Sequence, residues 1–166
     1  MYPGKYAQLH AERPAFIMAS TGLAVTHAEL EQRSNRLAHL FRAQGLQRLD
    51  HYAVFMENND RFLETCVAGE RSGLYYTCVN SYLTADELAY ILNNSESQLL
   101  ITSLSRLAVA KAALLSSSIS IWLPPNETAV TSRSSITTGN TWPVFTPNSE
   151  ASPWISLTSS PTEQEA

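Results

Sequence analysis

The stretch RSGLYYTCVNSYLTADELAYILNNSESQLLITS, Arg71 to Ser103, decides the fold. Gly73 stands where a helix needs a residue of positive φ to stop. Leu74 to Val79 is then a short run rich in aromatic and β-branched residues, bounded by polar positions, which predicts a buried strand. Thr84 precedes Glu87 by three residues. In that spacing the Thr hydroxyl accepts from the Glu87 backbone N–H while the Glu carboxylate returns to the Thr84 N–H, so a helix begins here. Leu88, Ile91 and Leu92 supply its apolar stripe. Gln98 to Thr102 is a second apolar run without alternation. A strand, a capped helix and another strand with no alternating pattern form a βαβ unit, whose strands lie parallel with both faces covered.

The pattern extends upstream. Tyr52 to Met56 reads as a buried strand, followed by Asn58, Asn59 and Asp60, one of which is expected to cap the next helix. That helix has Phe62, Leu63, Cys66 and Val67 as its apolar face and ends at Gly73. Before it, Thr26 and Glu29 form another capping box, opening a helix over about 27–44. Its stripe is Leu30, Leu37, Ala38, Leu40 and Phe41, and Gly45 is its stop. Phe16 to Ser20 and Leu23 to Thr26 flank Thr21-Gly22 as a hairpin. Downstream, Leu104 to Leu115 is expected to be helical and Ile119 to Leu123 to be a last strand before Pro124-Pro125. The fold class is therefore α/β: an incomplete, doubly wound, mostly parallel sheet with flanking helices, followed by an irregular C-terminal tail.

The whole chain has 166 residues, 44% apolar and 16% charged, with a net charge of −4. That average hides a break at Ser105. Residues 1–104 contain 13 Ser and Thr, 2 Pro and 19 charged residues, whereas residues 105–166 contain 21, 6 and 7. The Ser/Thr/Pro-rich part is poorly patterned and expected to be poorly ordered after Leu123. Three segments follow: 1–104, a patterned α/β region; 105–123, a helix-and-strand extension; and 124–166, the tail. The mild acidity leaves no basic footprint for nucleic acid. No run approaches the ~18 apolar residues of a membrane span, and Met1 to Pro14 has no apolar core of signal-peptide length. A cytoplasmic location is expected.

Few residues advertise chemistry. His10, His27, His39 and His51 show no metal-ligand spacing, and surface or half-buried roles account for them. Ser20, Ser72 and Ser81 lack a nucleophile-elbow context. Cys66 and Cys78 form no close pair in sequence. Cys66 lies on a helical stripe and Cys78 in a strand expected to be buried, so both are expected to pack as free core thiols. Tyr75 and Tyr76 face opposite ways in their strand, so at least one belongs to the core. Glu57, Asn58, Asn59 and Asp60 follow a strand's C-terminal end, where α/β folds place ligands, but they are equally the polar loop that caps a helix. No catalytic, cofactor-binding or metal-binding residue is assigned.

Several segments in register resemble the N-terminal region of adenylate-forming acyl-CoA synthetases, nearest the fatty acyl-CoA ligase type. These are Arg71–Ser103, with Gly73, Asn80, Leu83, Thr84, Glu87 and Tyr90 in place; Leu23–Leu30 with its Thr26-His27 and Glu29-Leu30; Ser34-Asn35-Arg36-Leu37-Ala38; and Ala53–Asn59. The resemblance covers roughly residues 1–104. It implies activation of a carboxylic acid by ATP and magnesium to an acyl-adenylate, followed by transfer to coenzyme A. It also implies that most of the catalytic apparatus lies beyond this region: a Ser/Thr/Gly-rich phosphate loop ending in Lys, an adenine-binding aromatic motif, a ribose-binding Asp and a Lys on a mobile C-terminal domain. ATP, magnesium and coenzyme A are thus cofactors of the full-length family, and none is expected for this chain alone.

Ser134 to Pro143 partly echoes the phosphate loop. Ile136 replaces its first Gly, Trp142 its Lys and Pro143 its last Gly, which removes the charge and the close backbone approach that an anion requires. Leu49 replaces the family's Gly before Asp50 and is expected to strain that turn. Two functions remain open on sequence grounds. One is a catalytically incomplete piece of an acyl-CoA ligase, its tail after about Ser105 an unrelated extension arising, for instance, from a change of reading frame or a gene-model error. The other is a small non-catalytic α/β binding or interaction module. In either case exposed sheet edges favour self-association, and no small-molecule substrate is expected for the chain alone.

Overall fold

The computed structural model describes residues 4–115 and 119–123. The tail 124–166, with Ser134 to Pro143, lies outside these residues. A short helix α1 (Gly4–Leu9), not anticipated from sequence, precedes a hairpin of β1 (Pro14–Ile17) and β2 (Ala24–Thr26). The hairpin matches expectation with shorter strands. Its connection closes through Met18 N–H to Leu23 O at 2.8 Å, and Gly22 takes a φ of +71°.

Then follow α2 (His27–Ala43), β3 (His51–Phe55), α3 (Phe62–Ser72), β4 (Tyr75–Cys78), α4 (Ala85–Asn94), β5 (Leu99–Thr102), α5 (Leu107–Ala113) and β6 (Ser120–Trp122). Strands β3 to β6 form one parallel sheet in the order β4-β3-β5-β6. The chain runs from β3 outward to β4 and then crosses back over β3 to β5. The sheet is therefore doubly wound, and its winding direction reverses between β3 and β5. One face packs Tyr52, Val54, Leu99, Ile101 and Trp122 against Leu37 and Phe41 of α2 and Ala68 of α3. The other packs Ala53, Phe55, Leu100 and Ile121 against Leu88 and Leu92 of α4 and Leu107, Ala110 and Ala113 of α5. Every residue from Tyr52 to Phe55 is buried, which is why β3 reads as an unbroken apolar run. Beyond Ser105, α5 and β6 pack on the same sheet as the elements before it.

Both capping boxes are formed: Thr26 with Glu29 opens α2, and Thr84 with Glu87 opens α4. The stop after α3 is Gly73 at φ +69°. Four expectations are corrected. The cap of α3 is not Asn58, Asn59 or Asp60 but Arg61, which makes no side-chain cap bond; Asn59 Oδ1 instead accepts from the Arg61 N–H at 3.0 Å. Helix α3 buries Glu64, Thr65, Cys66, Ala68 and Gly69, while Leu63 is exposed. Its small residues face the sheet because Tyr52 fills the space beneath them. Strand β4 is an edge strand, so Tyr75 and Cys78 are exposed and only Tyr76 packs on the core. The helix expected from Leu104 begins as a 3-10 turn, Leu104–Arg106, before α5.

Leu49 does strain its turn. It takes a φ of +78°, and its N–H is held by the Gly73 carbonyl at 2.8 Å. A side chain in this left-handed region costs about 1–2 kcal/mol relative to a relaxed backbone, and the exposed Leu49 side chain recovers little of that by burial. Leu49→Gly is expected to raise stability by up to about 1 kcal/mol once glycine's greater unfolded-state freedom is counted. Urea unfolding followed by circular dichroism measures it, and a lower midpoint would contradict the strain assignment.

Candidate functional site at the sheet switch point

In open α/β sheets, ligands favour the crevice outside the strand C-termini where the winding reverses. Here that point lies between β3 and β5, and the polar cluster noted in sequence follows β3. The structure brings Glu57 together with Ser103 and Ser105, which follow β5. Glu57 Oε2 accepts from Ser103 Oγ at 2.6 Å and from Ser105 Oγ at 2.8 Å. Below them, Thr102 Oγ1 donates to the Phe55 carbonyl at 2.7 Å. Desolvation opposes the charge of Glu57. The hydroxyls of Ser103 and Ser105, its own backbone N–H and Asn59 outweigh that, and its carboxyl sits below the usual glutamate value. The two strand ends are thus clasped by a carboxylate that stays charged. The serines were not recognised in sequence, because only the parallel register of β3 and β5 brings them beside Glu57.

Asp60 points elsewhere. Its Oδ2 pairs with Arg33 of α2 at 3.3 Å and lies 3.8 Å from Arg61 Nε. Arg61 in turn pairs with the fully buried Glu64 at 3.0 Å, and Arg33 lies 4.0 Å from the same carboxylate. Burial pushes the Glu64 carboxyl up, against the pull of Arg61. Arg71 reaches Glu31 at 2.5 Å and also bonds Asn35, so α2 and α3 are joined by charged contacts on both sides.

The histidines remain apart. His27 stacks on Tyr6 with ring centroids 5.5 Å apart, His51 Nδ1 lies 2.7 Å from the Ser95 carbonyl, and His39 is exposed. Among the described residues no group of three His, Cys, Asp or Glu side chains is placed to hold a metal ion. The switch-point loop from Met56 to Arg61 contains no Gly and no Lys, and it turns the Glu57 carboxylate to the strand ends. A charged carboxylate and no glycine approach do not fit a nucleotide phosphate. The cluster ties the C-terminal end of β3 to the segment after β5.

A doubly wound parallel sheet with helices on both faces and a clasped switch point define an α/β domain. The AMP-binding enzyme family profile matches residues 5–159, and the chain belongs to that family. It is 37% identical over 79 residues to 3-oxocholest-4-en-26-oate–CoA ligase of Rhodococcus rhodochrous, which covers 48% of this chain and 14% of that protein. It is 32% identical over 100 residues to crotonobetaine/carnitine–CoA ligase of Citrobacter koseri, covering 58% of this chain and 19% of the ligase. The chain therefore spans less than a fifth of the length of these two relatives. Among solved structures, the fold superposes on a benzoate–CoA ligase from Burkholderia xenovorans with a TM-score of 0.69 and 22% identity, over 74% of this chain and 25% of that one. The o-succinylbenzoate–CoA synthetase of Bacillus subtilis, solved with AMP, gives a TM-score of 0.58 at 28% identity over 63% of this chain and 27% of the synthetase. No helix among the described residues is long and apolar enough to cross a membrane.

Proposed function

We propose that this chain is the N-terminal part of an ATP-dependent acyl-CoA synthetase, an enzyme that converts a carboxylic acid to its acyl-adenylate and then to a thioester of coenzyme A. The family match over residues 5–159 carries this reading. The two similar ligases, each named for joining an acid to CoA, support it. In the full-length enzyme ATP, magnesium and coenzyme A are the cofactors. Residues 1–104 carry the family pattern, 105–123 complete the four-stranded sheet, and 124–166 form a compositionally distinct tail, of which the family match takes in residues up to 159. The compartment is the cytoplasm, in keeping with two free thiols. Nucleic acid is not a partner. Among the described residues β4 and β6 are the end strands of the sheet, and these ends are where the chain associates with itself or with later strands of the enzyme.

The 166 residues alone do not adenylate. The described switch point fits no phosphate, and Ser134 to Pro143 lacks the Lys and two of the glycines of the family's loop. Pyrophosphate exchange into ATP with a panel of fatty acids is expected to stay at background. Acid-dependent exchange above background would refute catalytic incompleteness.

A further inference from the structure

The two ends of the described sheet are not alike. From β5 the winding moves outward to β6, and the chain leaves the sheet at that end, so the shortest connection adds a next strand beside β6. Strand β4 lies at the far end, which this winding leaves behind. The Tyr75 N–H donates to the Asp50 carbonyl at 2.9 Å, and the Val79 N–H to the Val54 carbonyl at 2.8 Å. Alternation along the strand then turns the N–H and C=O groups of Tyr76 and Cys78 away from β3, where no described strand receives them. Residues 74–80 contain no Pro and no charged side chain, two of the devices by which an edge strand turns a partner away. Tyr75 and Cys78 are both exposed.

We propose that β4 pairs with β4 of a second copy of this chain, antiparallel about a two-fold axis at Thr77, joining the two sheets into one. The outward groups choose the register. Tyr76 and the partner's Cys78 exchange both of their N–H···O bonds, and so do Cys78 and the partner's Tyr76. A register shifted by two residues would call on Leu74 or Asn80 instead. The Leu74 N–H is already held by the Gly69 carbonyl at 3.0 Å, and the Asn80 carbonyl already accepts from the Leu83 N–H at 3.2 Å. In the chosen register Thr77 faces the partner's Thr77 as a pair without hydrogen bonds. Tyr75 lies opposite the partner's Val79, an aromatic against a β-branched side chain. The helices leave room for this. Helix α3 rests on both β3 and β4, with Gly69 against Tyr52 and Glu70 Oε1 accepting from Tyr76 Oη at 3.4 Å. Strands about 4.8 Å apart therefore set α3 and the partner's α3 about 10 Å apart, an ordinary helix-packing distance. The same surface serves both copies, so the assembly closes as a dimer. This pairing rests on strand geometry alone and not on the acyl-CoA reading.

Sedimentation of the 166-residue chain across a dilution series is expected to show a monomer–dimer equilibrium. One short strand pair makes a small interface, so the dissociation constant is expected between about 1 μM and about 1 mM. Thr77→Cys in a Cys78→Ser chain tests the register. A pair without hydrogen bonds sets its Cα atoms about 4.5 Å apart, within reach of a disulfide, so air oxidation is expected to join position 77 of the two copies, as read by a non-reducing peptide map. Asn94→Cys in the same background, exposed on α4, measures random collision and is expected to link at least about tenfold more slowly. Cys78→Lys places a charge on the edge and is expected to leave the chain monomeric with an unchanged far-ultraviolet circular dichroism spectrum. If that variant misfolds, the link at position 77 still decides. A monomer up to about 1 mM, a link at position 77 no faster than at position 94, or a dimer that persists in well-folded Cys78→Lys would each overturn the proposal, the last by placing the interface elsewhere, as at β6.

Discussion

Gly69→Ala is expected to destabilise the chain by about 2–3 kcal/mol, far more than one added methyl group costs on an exposed helix. A Cβ at Gly69 would intrude on the Tyr52 hydroxyl and lie 2.8 and 2.9 Å from two carbons of its ring. The ring cannot retreat. Tyr52 is fully buried, lies with its centroid 4.8 Å from that of Phe41, and donates from Oη to the Thr65 carbonyl at 2.6 Å. The better helix propensity of alanine, worth about 1 kcal/mol, offsets part of the overpacking but not all of it. Urea unfolding gives the loss directly. In the double variant with Tyr52→Phe the hydroxyl contact disappears but the ring contacts remain, so only part of the stability should return. A Gly69→Ala chain as stable as the parent would show that α3 is free to slide on the sheet.

Arg61→Leu is expected to cost about 3–5 kcal/mol at neutral pH, the scale for removing one member of a buried ion pair. Glu64 has no exposed side-chain surface, and its remaining cation, Arg33, stands 4.0 Å away. The pH dependence gives a second readout. Burial already holds the Glu64 carboxyl above its ordinary value, and losing Arg61 raises it further. An acid whose folded pKa exceeds its unfolded value binds protons more tightly when folded, so stability falls as pH rises between those two values. The defect of Arg61→Leu should therefore shrink as the pH falls from neutral toward about 4.3, the unfolded glutamate value. The paired change Arg61→Leu with Glu64→Leu removes the stranded carboxylate and is expected to recover most of the loss. A defect independent of pH, or one unrelieved by the second substitution, would assign the effect to lost packing of the arginine stem instead.

The local signals in this chain were legible because each needs only near neighbours. Thr26 with Glu29 and Thr84 with Glu87 announce helix starts through contacts three residues apart, and both boxes form. Gly73 announces a stop through its own φ. The strand from Tyr52 is legible because both its faces are covered, which leaves no polar alternation. Strand β4 misled for the same reason. Its apolar run promises burial, but whether a strand is central or at an edge depends on the order of strands in the sheet. That order placed Cys78 in the open. The face of α3 was misread because Leu63 and Val67 are more hydrophobic than Ala68 and Gly69. A helix lying over a tyrosine must present its small residues, and nothing near α3 in sequence announces the tyrosine.

Sequence by itself determined the class of this protein: capped helices alternating with unpatterned strands, the segments that resemble acyl-CoA ligases, and the strain at Leu49. These rest on hydrogen bonds and backbone angles spanning a few residues. Only the tertiary structure decided which residues meet. Glu57 reaches the serines after β5 across 46 and 48 positions of sequence. Arg33 reaches Asp60, and Tyr52 lies beneath Gly69. Each of these contacts depends on strand order and on which face each helix covers. Those are settled by burying both faces of one sheet at once, a condition that no short stretch of the chain contains.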